Sequence, residues 1–339
     1  MKINIYYEFL GMQNYSLETY PSQNNMSFIF HKFADSLINE NPDVEFNKKY
    51  RWSGNMCTIN PWTPEMNIPF DKFIHAFCSE TLMIIENDEN KKYFIISFWD
   101  NLHGEIVAWH DLKEKCVEIF ALTGIHDLGC QQDYNKVMPI PYTPINLISI
   151  SIKHEELIDK YYYENVLKND RVISDKPYIR TSSLYGFREY LNKNDDRFKI
   201  EHWGNSKFTY GKPFESLDEF TSNYSKYKIN IDVPSAAGEW SDRMPMILGL
   251  GTCLLRPKLN IKFNRPLIPN YHYVPIECER LNDFKSLSDA YIDKYEEIKN
   301  KPDLIEFISK NGREYWDKYC RRDFVIDDMV KLVDVNKLI

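Results

Sequence analysis

The stretch YKINIDVPSAAGEWSDRMPMILGLGTCLLRP, residues 227–257, changes its hydrophobic period twice. Its opening is an apolar strand pattern that ends at Asp232. A loop of small residues follows, from Pro234 to Gly238; Ser241 or Asp242 then stands where a helix cap is needed, and Arg243 falls in the first helical turn. The apolar run beyond it leads to a second strand, TCLLRP, so the segment reads strand, helix, strand, the unit of a parallel sheet. Parallel sheets take ligands outside the carboxyl ends of their strands. Backbone N–H groups and a guanidinium at that position suit an anion such as a diphosphate, with no metal required. A plain turn with Arg243 paired to Glu239 or Asp242 on the surface accounts for the same residues.

The pattern extends in both directions. Upstream lie a strand PYIR, a helix LYGFREYLN, a strand RFKIEHW and a helix FESLDEFTSNY; downstream lie a strand YHYVPIE and three helical stretches, DFKSLSDAYIDKYEEIKN, DLIEFISKNGREYWDKYC and DFVIDDMVKLV. The first half is also α/β. It offers a strand KINIYY and a helix capped by Ser27 with Phe28, Ile29, Phe33, Leu37 and Ile38 at helical spacing. Strands are then expected at Thr81 to Ile85, Tyr93 to Phe98, IVAW and VEIFAL, with a long loop from Gly124 to Pro144 and an apolar strand INLISISI after it. A chain of 339 residues is long for one core, so two domains are expected. We place an N-terminal α/β lobe at 1–165, a C-terminal lobe at 166–322, and a closing helix at 323–339 that can cross back to the first lobe.

Hydrophobic residues at 43% and charged residues at 27% fit globular packing. The formal net charge of -8 and the lack of a Lys/Arg block argue against nucleic acid as a partner. No window reaches the ~18 apolar residues of a membrane helix, and the N-terminus has no signal-peptide core, so a cytoplasmic location without a membrane span is expected. The seven cysteines (57, 78, 116, 130, 253, 278 and 320) are scattered without a C-x-x-C pair, which points to buried thiols rather than disulfides or zinc. No Asp-x-Asp triplet occurs, so no metal site is expected.

Ser241, Arg243, the run MPMILGLGTCLLRP and His272-Tyr273-Val274-Pro275 occur in an order and spacing that resemble the core of the protein O-glucosyltransferase and capsule-associated protein family, and more distantly the exostosin-like glycosyltransferases. Upstream, IRTSSLYGFREYL resembles that family's strand-to-helix segment, with Arg180, Ser182 and Ser183 at the donor-phosphate positions. Downstream, residues 311–333 resemble its closing helices; the resemblance covers about 176–335. Glu239 and Trp240 intervene where the family runs directly into Ser-x-Arg, and Thr181 follows Arg180 where the family often has Gly.

The resemblance implies a GT-B fold, two Rossmann-like lobes facing a central cleft, and a glycosyltransferase, hexosyl or pentosyl, that moves a sugar from a nucleotide sugar, mostly a UDP-sugar, to a hydroxyl on a glycan or glycoprotein. It implies inversion at the anomeric carbon, no metal, and no cofactor beyond the donor. Arg180, Ser182, Ser183, Tyr185, Trp240, Ser241, Arg243, His272 and Tyr273 are the expected donor contacts, although residues 271–277 also read as a buried strand. The base is an acid of the N-terminal lobe in that family. Asp100, directly after the apolar strand YFIISFW, is the local match, and His103 can orient the acceptor or act as base itself. A turn-capping Asp100 is the plain structural reading. A retaining or donor-hydrolysing relative, or a non-catalytic nucleotide-sugar or glycan-binding scaffold, would reuse the same donor lobe.

Overall fold

The computed structural model describes residues 1–9, 23–52, 80–97, 115–121, 142–144, 152–181, 186–202, 217–233, 243–259 and 263–339. These fall into two compact α/β units: 1–121, 142–144 and 322–339 form the first, and 152–321 form the second.

In the first unit six strands form one mixed sheet in the order β2-β1-β3-β4-β5-β6. The strands are β1 (Lys2–Phe9), β2 (Glu45–Trp52), β3 (Glu80–Asn87), β4 (Tyr93–Ser97), β5 (Cys116–Ala121) and β6 (Tyr142–Pro144). Strand β3 runs against both of its neighbours, and the other pairs are parallel. Consecutive buried residues Met83, Ile84 and Ile85 show that both faces of β3 are covered. Helix α1 (Gln23–Glu40) packs on β3 through a face that includes Phe33 and Leu37. It begins before Ser27, so Ser27 lies inside the helix and is not its cap. The sequence EFNKKYRW gives an edge strand, β2, whose alternation of Phe46, Tyr50 and Trp52 with polar residues is interrupted at Lys48.

The last segment belongs to this unit. Helix α8 (Arg322–Leu332) packs on α1, and Lys32 pairs with Asp323 across them. A 3₁₀ turn (Val335–Leu338) follows, and the Leu338 carbonyl accepts hydrogen bonds from Asn87 Nδ2 at 3.0 Å and Asn90 Nδ2 at 2.7 Å.

The second unit opens on α2 (Ile152–Lys168), a helix that packs on α4 and α5 and spans residue 165. The elements then alternate: β7 (Tyr178–Thr181), α3 (Phe187–Asn194), β8 (Lys199–His202), α4 (Leu217–Ser225), β9 (Ile229–Ile231), α5 (Arg243–Gly249), β10 (Cys253–Pro257) and β11 (Val274–Ile276). Strands β7 and β8 pair in parallel, and β11-β10-β9 form a second parallel group. Helices α6 (Phe284–Lys299) and α7 (Pro302–Tyr319) complete it.

Alternation along the strands sorts their side chains. Ile229, Ile231, Val233, Cys253, Leu255, Val274 and Ile276 enter a core with Leu287, Tyr291 and Ile305. Asn230, Asp232, Leu254 and Arg256 take the opposite face. On that side α5 is buried along its whole length. Gly249 lets it approach α2 and α7, for a Cβ there would stand 2.6 Å from Ile158 and 2.7 Å from Trp316. Arginines close the far end of α5: Arg313 donates to the Gly249 carbonyl, and Arg171 donates to those of Leu250 and Gly251. Arg313 also lies over the Tyr162 ring, 4.1 Å from its centre.

Candidate functional site

The carboxyl ends of β7, β9 and β10 gather the charged groups of the second unit. Asp232 follows β9 and is fully buried. Arg256 is the penultimate residue of β10, and the register that sets Leu255 beside Ile231 places Arg256 beside Asp232 on the same face. Arg256 Nη1 donates to Asp232 Oδ2 at 3.2 Å. Arg243, the first residue of α5, donates from Nε to Asp232 Oδ1 at 3.3 Å and from Nη2 to the Val233 carbonyl at 3.2 Å. One buried carboxylate is therefore shared by two guanidinium groups, one on each oxygen. Arg243 is only 7% exposed, so it is a buried arginine tied to Asp232 rather than a surface residue.

Two tyrosine hydroxyls mark the extent of the cluster. Tyr224 on α4 is fully buried; its hydroxyl donates to the Arg180 carbonyl at 3.1 Å and accepts from the Arg180 N–H at 3.4 Å. Burial raises its pKa, while the charges of Arg243 and Arg188 act to lower it and that of Asp232 to raise it. Tyr291 on α6 donates from its hydroxyl to the Asp232 carbonyl at 2.6 Å. Its pKa is pushed well up by burial and then by Asp232, against the pull of Arg256, Arg243 and Arg188. Arg188, in the first turn of α3, is 8% exposed and acts on both hydroxyls. Two arginines, Arg243 and Arg256, thus meet one buried carboxylate at the strand ends, where a parallel α/β unit takes its ligands.

Arg180 lies at the edge of this cluster. It donates from Nη1 to Glu201 at 2.7 Å and from Nη2 to Glu219 at 3.3 Å, while Tyr178 donates to the same Glu201 oxygen at 2.9 Å. Partial burial raises the Glu201 pKa, but hydrogen bonds from Tyr178 and Arg180 outweigh it, and the carboxyl stays below its usual range. A ligand anion taking Arg180 competes with two carboxylates.

His272 and Tyr273 each accept a hydrogen bond from the backbone. The Ile268 N–H donates to His272 Nδ1 at 2.9 Å, and the Leu259 N–H donates to the Tyr273 hydroxyl at 3.2 Å. The His272 ring lies against Tyr315, and burial lowers its pKa to about 4. Tyr273 is fully buried. Their segment forms the short strand β11 and the turn before it.

Asp100, His103, Ser182, Ser183, Tyr185, Trp240 and Ser241 lie outside the described residues, as does the loop from Pro234 to Gly238. Among the expected donor residues, Arg180 lies in β7 and Arg243 opens the helix after β9, at the carboxyl ends of two separate strand groups. The structure adds Arg188, Asp232 and Arg256, which sequence reading did not select. Arg188 sits beside Glu189 and reads as a solvated helix residue; Arg256 depends on a cross-strand register that one sequence does not state. Among the described residues no group of three or more His, Cys, Asp or Glu side chains is placed to hold a metal, and no helix is long and apolar enough to cross a membrane.

The sequence matches no family model and no curated protein. Solved structures do align with it. A glycosyltransferase from Rickettsia africae matches over 66% of this chain and 66% of its own length, at 11% identity and a TM-score of 0.40. Sucrose-phosphate synthase from Thermosynechococcus elongatus matches over 68% of this chain and 61% of its own, at 11% identity and 0.43. The chain thus spans less than two thirds of either protein. An α-glucosyltransferase in complex with UDP and a 13-mer DNA aligns over 98% of this chain and 99% of its own, at 9% identity and 0.42. With every one of these TM-scores below 0.5, the functional reading rests on the site's own geometry.

Proposed function

We propose that the protein is a glycosyltransferase of GT-B architecture that moves a hexosyl or pentosyl group from a UDP-sugar to a hydroxyl of a glycan or glycoprotein acceptor. The observation that carries this reading is the pair of buried arginines at the carboxyl ends of β9 and β10, where Arg243 and Arg256 share Asp232. In a parallel α/β unit this is the expected place for a ligand, and a diphosphate is the anion that such a cluster matches.

In this reading Arg243 and Arg188 face the diphosphate and stabilise the charge that develops as it leaves, in place of a divalent cation. Arg180 joins them by exchanging Glu201 or Glu219 for a phosphate oxygen. Ser182, Ser183 and Ser241 supply hydroxyl donors, and Trp240 or Tyr185 stacks on the uracil or the sugar. Asp100, from the first unit, takes the proton of the acceptor hydroxyl as that oxygen attacks the anomeric carbon and the diphosphate departs from the opposite face, which inverts the configuration. His103 orients the acceptor.

The test is a calorimetric titration with UDP in the presence of EDTA. Wild type is expected to bind, and Arg243→Ala and Arg180→Ala are each expected to bind about tenfold more weakly, since a charge-assisted hydrogen bond contributes roughly 1.5–3 kcal/mol. Unchanged affinity in both variants, with the fold intact, would remove the phosphate assignment. Binding that appears only when Mn²⁺ or Mg²⁺ replaces EDTA would remove the metal-free mechanism.

A further inference from the structure

Strand β10 lies between β9 and β11, and it ends on a proline. Its register with β9 sets Ile229, Asn230 and Ile231 opposite Cys253, Leu254 and Leu255. Along this ladder the Cys253 N–H donates to the Lys228 carbonyl at 2.8 Å, and the Asp232 N–H donates to the Leu255 carbonyl at 3.0 Å. In a parallel pair of that phase the next rung joins the Asp232 carbonyl to the N–H of residue 257. Residue 257 is Pro257, which has no N–H. A buried carbonyl left without a donor is destabilising, so another group has to reach it. That group is Tyr291 on α6, whose hydroxyl donates to the Asp232 carbonyl at 2.6 Å. Tyr291 is fully buried, and burial holds its pKa well above the ordinary value, so the phenol keeps the proton that it donates.

The carbonyl that Tyr291 holds belongs to the peptide between Asp232 and Val233. Two of the contacts that seat Arg243 lie on either side of that peptide: its Nε donates to the Asp232 carboxylate and its Nη2 to the Val233 carbonyl. From this we infer that Tyr291 is a positioning residue for the donor site, standing in for the N–H that Pro257 lacks and so fixing the peptide on which Arg243 is seated. A rotation of this peptide displaces both acceptors together, and the guanidinium with them. The ring of Tyr291 is packed independently of its hydroxyl, stacked on Phe187 at 5.8 Å between ring centres and edge-on to Phe198 at 6.3 Å. Removing the oxygen alone therefore leaves the packing in place and frees the peptide. The inference rests on the donor site proposed above, where Arg243 faces the diphosphate, and adds to it the group that sets the geometry of that arginine.

The experiment titrates wild type, Tyr291→Phe, Pro257→Ala and the double variant with UDP and with inorganic pyrophosphate, at a temperature where near-UV circular dichroism and melting curves show each to be folded. Tyr291→Phe is expected to weaken both probes about tenfold, the size of one charge-assisted contact put out of place. Pro257→Ala supplies the absent N–H opposite the Asp232 carbonyl, so the double variant is expected to bind within about threefold of Pro257→Ala alone. A role in stability alone moves the melting temperature and leaves the affinity of the folded protein where it was. Unchanged affinity in Tyr291→Phe, or a weakening that Pro257→Ala leaves uncorrected, overturns the inference, while wild-type binding and its loss in Arg243→Ala keep the donor site standing. Failure of wild type to bind either probe removes the donor site itself and the inference with it. If Tyr291→Phe does not fold alone, the double variant decides: affinity within about threefold of Pro257→Ala supports the inference, and weaker binding or failure to fold overturns it.

Discussion

At the scale of single residues, sequence and structure divide the site between them. Arg243 is legible because its surroundings are local: a strand end, a small-residue loop and a helix start lie within a dozen positions. Arg256, which shares Asp232 with it, is invisible for the opposite reason, since only the alignment of β9 with β10 sets it beside Asp232. His272 and Tyr273 carry backbone-bonding roles that the motif alone does not state. For the proposed base the decisive variant is Asp100→Asn, nearly isosteric, so that it tests proton transfer and not packing. Transfer is expected to fall by about 10² to 10⁴ with UDP affinity unchanged. Near-normal turnover would move the role to His103 or another acid.

A second prediction concerns His154 on α2, which is fully buried and whose pKa burial lowers to about 4 from 6.5. The unfolded chain binds that proton more readily than the folded one, so stability is full above about pH 6.5 and falls as the pH drops toward 4. The loss is on the order of 3 kcal/mol. Urea midpoints at about pH 7 and about pH 4.5 should therefore differ less in His154→Gln than in wild type; an equal difference would assign the acid sensitivity elsewhere.

At the scale of elements, the second unit reads well from sequence because each strand is short, apolar and followed by a helix with its own period. Strand β2 escapes notice because Lys48, at an edge, interrupts the period-2 set of Phe46, Tyr50 and Trp52 inside a polar run. Helix α2 escapes because among its described side chains it buries only His154 and Ile158, on a polar segment with seven charged residues in 17, and because the apolar run before it suggests a strand that continues through Ile152. The packing of α5 is a further case. Its glycine reads as a helix breaker or C-cap, whereas Gly249 is the last residue of the helix and clears the way for Ile158 and Trp316. Gly249→Ala should therefore destabilise the protein by about 1–3 kcal/mol despite alanine's better helix propensity. A urea midpoint equal to or above wild type would show that α2 and α7 give way at little cost.

At the scale of the whole molecule, residues far apart in the chain close the first unit. Asn87 is 4% exposed, and its side chain donates to the Leu338 carbonyl across 251 positions while accepting from the Glu89 N–H. Asn87→Ala is expected to cost about 1–2 kcal/mol, the usual range for a buried hydrogen bond whose partner is left behind, and Asn90→Ala, at a less buried site, is expected to cost less. Equal unfolding midpoints for Asn87→Ala and wild type would show that this tie contributes nothing.

The same arrangement sets an order of events during synthesis. The second unit has all of its described residues once Arg321 has emerged from the ribosome, whereas α1 of the first unit, translated long before, still lacks α8. During that interval the side of α1 that α8 covers in the finished unit is still open. The unit begun first is thus completed last, and its exposed face is where chaperones and self-association compete for the nascent chain.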